Sequence, residues 1–279
     1  MKHRNVMKPV LATALFSLCM VGAAGASPAE PCLMQVIITE QYVPFAGMID
    51  FWWKQCVPID VYGDLVLPGP GYTYDGWEYA YDLQTYDTFQ TSTKTFDSEW
   101  ADGTGYIYSR SNNQCSITVD GPVYEDDLPG SGTLQAHGDF ISGDGDTLHQ
   151  AIWRGNQGWT RDVPISSSGN PVWGQAGSWS GPISISLLPP TSSSLSMQAQ
   201  DNIIVGDKLY QTYFRGNHGW RRDVPLNGAG DPIYPPNATD FELIPDSELA
   251  NINGNVVAHY SYLYDSSDPC PDPTELVDF

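Results

Sequence analysis

Short apolar or alternating runs recur along the chain, at 34–38, 59–67, 79–86, 106–109, 183–188 and 256–262, and Gly, Pro, Asn and Asp break them apart. Runs of this length, with turn residues every few positions, predict β-strands rather than helices. Only 45–54 carries a pattern compatible with a helix. The expected fold is therefore all-β, a sandwich or barrel-like body.

A duplication organises the second half. Residues 150–164 read QAIWRGNQGWTRDVP and residues 211–225 read QTYFRGNHGWRRDVP, with ten of fifteen positions identical at an offset of 61. Upstream, Leu134-Gln135-Ala136 aligns with Met197-Gln198-Ala199; downstream the match fades to Pro171-Val172-Trp173 against Pro232-Ile233-Tyr234. Each copy reads as a hairpin whose turn lies in Gly155–Gly158 or Gly216–Gly219, residues that tolerate positive φ. Two copies fall short of a solenoid or of the four blades of a propeller. The repeats, about 133–190 and 194–250, are thus expected as pseudo-two-fold halves of one domain over 128–250. Pro189-Pro190-Thr191 and the serines after it would link them. A tyrosine-rich β region would occupy 27–127, and 251–279 would return to it.

Charge and cysteine bear on location. Lys2, Arg4 and Lys8, an apolar stretch over 10–21 and Ala24-Gly25-Ala26 have the layout of a signal peptide ending at residue 26. The full chain has 33 acidic and 12 basic residues; without the three basic residues of that leader the balance is 9 against 33, or −24. Phosphate backbones need a basic face, so nucleic acid is not an expected partner. The apolar stretch is short for a membrane span. Cys32, Cys56, Cys115 and Cys270 would form two disulfides in an oxidising compartment, with Cys56–Cys115 and Cys32–Cys270 the expected pairing. Localisation is expected to be secreted or periplasmic.

Five of the nine remaining basic residues lie in the repeats: Arg154, Arg161, Arg215, Arg221 and Arg222. Strand alternation would place Gln150, Arg154, Trp159 and Arg161 on one face, and Gln211, Arg215, Trp220 and Arg222 on its counterpart, if the hairpin register brings them together. Indoles can cover the C–H face of a sugar while Arg and Gln supply directed hydrogen bonds; guanidinium also suits carboxylate or sulfate. The same residues could instead tie hairpins to the body through Asp162 and Asp223.

Two further clusters invite chemistry. Aromatics and carboxylates interleave over 72–108, as in a glycan groove or in ordinary cross-strand packing. Asp139, Asp144 and Asp146 resemble a loose Ca²⁺ loop, although a plain acidic turn is the simpler reading, and no other metal or cofactor is implied. No zincin, nucleophile-elbow or phosphate-loop motif occurs. Glu125-Asp126-Asp127 could contribute to a glycosidase pair, and Asn237 begins a glycosylation sequon. The leading expectation is a secreted protein that recognises glycan or another extracellular surface through its Arg/Trp hairpins. An assembly subunit and a polysaccharide hydrolase follow.

Overall fold

The structure is a computed structural model that describes residues 32–80, 83–111, 116–183, 188, 196–235 and 240–264. The proposed leader, Cys115, Cys270, the 189–194 linker and the Asn237 sequon lie outside the described residues.

The all-β expectation holds, but the strands form neither a sandwich nor a barrel: four small antiparallel sheets stand in a four-bladed, propeller-like ring. Blade one contains β1 (Cys32–Val43), β2 (Gly47–Pro58) and β3 (Thr73–Tyr79). Blade two contains β4 (Leu83–Gln90), β5 (Lys94–Ala101), β6 (Thr104–Ser111) and β7 (Ile117–Tyr124). Blade three holds β8 (Leu134–Ile141), β9 (Thr147–Arg154) and β10 (Gln157–Pro164). Blade four holds β11 (Met197–Val205), β12 (Lys208–Arg215), β13 (His218–Pro225) and the short β14 (Glu242–Leu243). The last strand, β15 (Asn255–Tyr264), returns to pair with β1 as the inner strand of blade one.

The repeats are thus blades three and four, not halves of a sandwich. The 45–54 segment is the turn into β2 and most of that strand, because its apolar residues pair across the hairpin with β1 rather than forming a helical face. Cys32 bonds to Cys56 across the open end of the β1–β2 hairpin, which overturns the expected Cys56–Cys115 and Cys32–Cys270 pairing. The register sets Met34 against Cys56 and Cys32 against Pro58, so the two cysteines arrive side by side.

Inner strands β15, β4, β8 and β11 pack on one another around the ring axis. The apolar core lies between neighbouring blades rather than at the axis. Val36, Tyr86 and Tyr260 fill the interface of blades one and two; Phe96, Leu148, Trp100 and Trp159 fill that of two and three. Trp153, Met197 and Leu209 lie between three and four, and Ile37, Trp53 and Phe214 between four and one.

The repeat hairpins turn on two residues. Gly155 and Gly216 take the first turn position at φ +65° and +60°, where a two-residue hairpin requires positive φ. Gly158 has a different task in the strand: a Cβ there would sit 2.6 Å from the Trp153 ring. Gly158→Ala should therefore destabilise the protein by about 1–3 kcal/mol in denaturant unfolding, whereas Gly174→Ala, with open space around it, should be near neutral.

A second prediction concerns Asp50, buried on β2 between Glu40 of β1 and Glu78 of β3. Burial, then repulsion from Glu40 and Glu78, pushes its carboxyl up to about 7, against about 3.9 in an unfolded chain. Between these values the folded state holds a proton that the unfolded state has lost. This contribution to stability is full below about pH 4 and is lost as pH rises through 7. Asp50→Asn should raise the melting temperature at pH 8 and flatten its pH dependence.

Candidate functional site

Three blades present the same cross-strand pattern to the blade before them. In blade three, Leu148, Gln150 and Ile152 oppose Val163, Arg161 and Trp159; in blade four, Leu209, Gln211 and Tyr213 oppose Val224, Arg222 and Trp220. Blade one repeats it with Leu33, Gln35 and Ile37 opposite Val57, Gln55 and Trp53. Blade two departs from it, placing Asp97, which accepts from Thr88 Oγ1 at 3.0 Å, opposite Tyr108.

The central pair of each pattern is a polar spoke between apolar rungs. Arg161 Nε donates to Gln150 Oε1 at 2.8 Å, Arg222 Nε to Gln211 Oε1 at 2.9 Å, and Gln55 Nε2 to Gln35 Oε1 at 2.7 Å. Two spokes continue inward, since Gln150 Nε2 donates to Asp139 Oδ1 at 3.2 Å and Gln211 Nε2 to Asn202 Oδ1 at 2.8 Å. Each spoke opens onto a cavity between blades. Gln35 and Gln55 border one of about 380 Å³ between blades four and one. Gln150 and Arg161 border one of about 240 Å³ between two and three, and Gln211 and Arg222 one of about 510 Å³ between three and four.

The register therefore does bring the sequence-predicted residues onto shared faces, but it gives them different surroundings. Trp159 and Trp220 are each 8% exposed and are packed into blade interfaces. Arg154 is buried; its guanidinium donates to the carbonyls of Glu125, Leu128, Pro129 and Gly130 and pairs with the Glu125 carboxylate at 3.1 Å. Arg215 is also buried, and reaches Asn156 at 3.4 Å. Arg221 grips Glu248 through two hydrogen bonds of 2.8 and 3.0 Å. Asp162 and Asp223 serve other partners, His149 and Lys208.

Arg161 and Arg222 remain at cavity walls, and their aromatic partners lie downstream of the hairpins. The Arg161 guanidinium carbon stands 4.4 Å from the Trp179 ring centroid and 5.8 Å from that of Trp173. Arg222 stands 4.2 Å from Phe241 and 6.0 Å from Tyr234, and pairs with Asp240 at 3.1 Å. The faded alignment of Trp173 with Tyr234 already held this signal. Trp100, Tyr106 and Asp120 complete the wall of the cavity beside Arg161.

Of the acidic candidates, Glu125 is engaged by Arg154 and by the Leu134 amide, and Asp144 accepts from Ser142 within the β8–β9 turn. The Asp139–Asp146 set is divided, because Asp139 belongs to β8, one of the inner strands whose polar side chains are buried around the ring axis. There Asp87 accepts the Asp139 amide, Ser261 Oγ donates to Asp201, and Tyr72 and His259 meet at 3.0 Å. Burial drives Asp139 and Asp201 up to about 7, and raises Asp87 with added repulsion from Asp201 and Asp139. Burial also holds His137 and His259 down to about 3, so both imidazoles are neutral. Among the described residues, Asp87, His137 and Asp139 form a group able to offer one ligating atom each within 4.8 Å of one another.

No family model matches the chain, and no curated protein does. Among solved structures it is similar to a chain of a nidogen/laminin complex (TM-score 0.34, 7% identity, 82% of this chain and 98% of that one). It is also similar to a protein from Lactobacillus plantarum (TM-score 0.29, 10% identity, 77% of this chain and 66% of that one). These distant likenesses bear on neither site nor ligand.

Arg154→Met should separate scaffold from cavity. Removing the buried guanidinium leaves Glu125 and four carbonyls without it, and should cost about 3–5 kcal/mol in equilibrium unfolding.

Proposed function

We propose that the protein is a secreted recognition protein that binds glycan or another extracellular surface, using the cavity between blades two and three. The observation that carries this reading is Arg161, flanked by the Trp179 and Trp173 rings and braced by Gln150 in a wall that also holds Trp100 and Tyr106. An indole face matches the C–H side of a pyranose, and a guanidinium fixed by its Nε bond can direct its remaining N–H groups to a sugar hydroxyl or carboxylate. About 240 Å³ is small beside the ~300–1,000 Å³ of most small-molecule sites, which suits one sugar ring rather than a buried chain.

Net charge narrows the class. A chain at −21 repels a continuous polyanion beyond the reach of one arginine. Neutral glycans, or glycans with isolated acidic sugars, fit better than densely sulfated ones. The Cys32–Cys56 bond is consistent with a compartment outside the cytoplasm, and among the described residues no helix is long and apolar enough to cross a membrane.

A second reading, assembly, draws on blade one. Its outer strand β3 exposes Tyr74, Trp77 and Tyr79, the end of β1 exposes Tyr42, and the β1–β2 turn exposes Phe45. Aromatics on an outer strand could dock a neighbouring copy.

Glycan-array binding, repeated with Arg161→Lys and Trp179→Ala, tests the first reading. The expected result is at least a tenfold loss of affinity in both variants, with melting temperatures close to the parent. Equal binding by all three proteins would refute the cavity assignment. Concentration-dependent oligomers abolished by Trp77→Ser, without any glycan signal, would favour assembly.

A further inference from the structure

The cavity between blades two and three ends at a group that the recognition reading does not use. Its inner wall includes His137 and Asp139, carried by the inner strand of blade three, and beside them stands Asp87 from the inner strand of blade two. All three residues are at most 2% exposed. Two of their polar atoms, His137 Nε2 and Asp139 Oδ2, are buried without a hydrogen bond of standard geometry, although Ser98 of blade two lies close to both side chains. Buried polar atoms are almost always satisfied, so two in one group call for an explanation.

The other atoms of the group are arranged as supports. Thr85 Oγ1 lies 3.2 Å from His137 Nδ1, which fixes the ring and turns Nε2 toward blade two, where the Ser98 backbone lies near it. Gln150 holds Asp139 by Oδ1, and the Ser98 hydroxyl lies near the same carboxylate. Asp87 takes the amide of Thr88 on Oδ1 and that of Asp139 on Oδ2, bonds that orient the carboxylate while each oxygen keeps a second lone pair. Metal sites commonly have this plan, in which outer hydrogen bonds aim the ligating atoms.

We propose that Asp87, His137 and Asp139 form a site for one divalent transition cation, of which Zn²⁺ is the best match. Two carboxylates balance the charge of such an ion. A mixed set of one imidazole nitrogen and two carboxylate oxygens suits Zn²⁺ or Mn²⁺ better than Ca²⁺ or Mg²⁺, which favour oxygen donors alone. Three protein ligands leave a tetrahedral ion one further position for water, and the cavity supplies the way in from solvent.

The test uses the full secreted chain without a histidine tag. After treatment with a chelator, the protein is titrated with Zn²⁺, Mn²⁺ and Ca²⁺ by calorimetry, and bound metal is counted by mass spectrometry. One Zn²⁺ per chain is expected, with a rise in melting temperature. Asp139→Asn should weaken uptake at least 100-fold. Thr85→Val, which only loosens the imidazole, should weaken it about 10–100-fold. Asp144→Asn/Asp146→Asn, in the exposed turn, should leave it unchanged. If Asp139→Asn does not fold, the absorption of the Co²⁺-loaded parent protein decides: a visible band of tetrahedral intensity supports the site, and its absence overturns it. No stoichiometric Zn²⁺ uptake, or uptake lost in the turn variant but kept in Asp139→Asn, also overturns the proposal.

Discussion

The pairing of β15 with β1 is the constraint on which the rest of the molecule depends. Nine register pairs join the last described strand to the first and turn a row of sheets into a ring. Once closed, the ring removes the inner strands from water, and any polar side chain they carry must be met from within. The chain carries many: Thr85, Asp87, His137, Asp139, Gln200, Asp201, Asn202, His259 and Ser261 are all buried there. Spokes running outward through the blades meet Asp139 and Asn202, and bonds between neighbouring inner strands, such as Thr85 with His137 and Ser261 with Asp201, meet others.

The spokes also explain where the cavities lie. Leu and Val make one apolar rung and Trp the other, and the Gln–Arg or Gln–Gln pair between them is too polar to be packed against a neighbouring blade. Space remains at these rungs in three of the four blade interfaces. The arginines therefore divide by surroundings. Arg154, bound to carbonyls and Glu125, helps hold the chain between blades two and three, whereas Arg161 and Arg222, on the third strands of their blades, stand at cavity walls.

The strand content, the hairpins at 150–164 and 211–225 and the shared face of Gln150 with Arg161 were legible from local alternation and from the duplication. The ring was not. A third copy of the pattern exists in Leu33, Gln35, Ile37, Trp53, Gln55 and Val57, but its hairpin spans 16 positions from Ile37 to Trp53 against seven from Ile152 to Trp159. A fixed-offset comparison therefore misses it, and Gln55 in place of arginine hides it further. Blade two has lost the pattern, and blade three reduces its fourth strand to a single bridge between Thr160 and Ser180. The partners of Arg161 were equally hard to place, because Trp173 and Trp179 reach it from a connection whose sequence had drifted. The axial group joins two strands about fifty positions apart, a proximity that no spacing rule announces.

The Cys32–Cys56 bond has an effect on how such a ring can come apart. It ties the two strands of one hairpin, while the seam beside it, between β1 and β15, is held by hydrogen bonds and side-chain packing. Pulling on the C-terminal end would load that seam one rung at a time, with the crosslinked hairpin acting as a stiff anchor. The ring is thus a clasp, covalently reinforced on one side of its joint and releasable on the other.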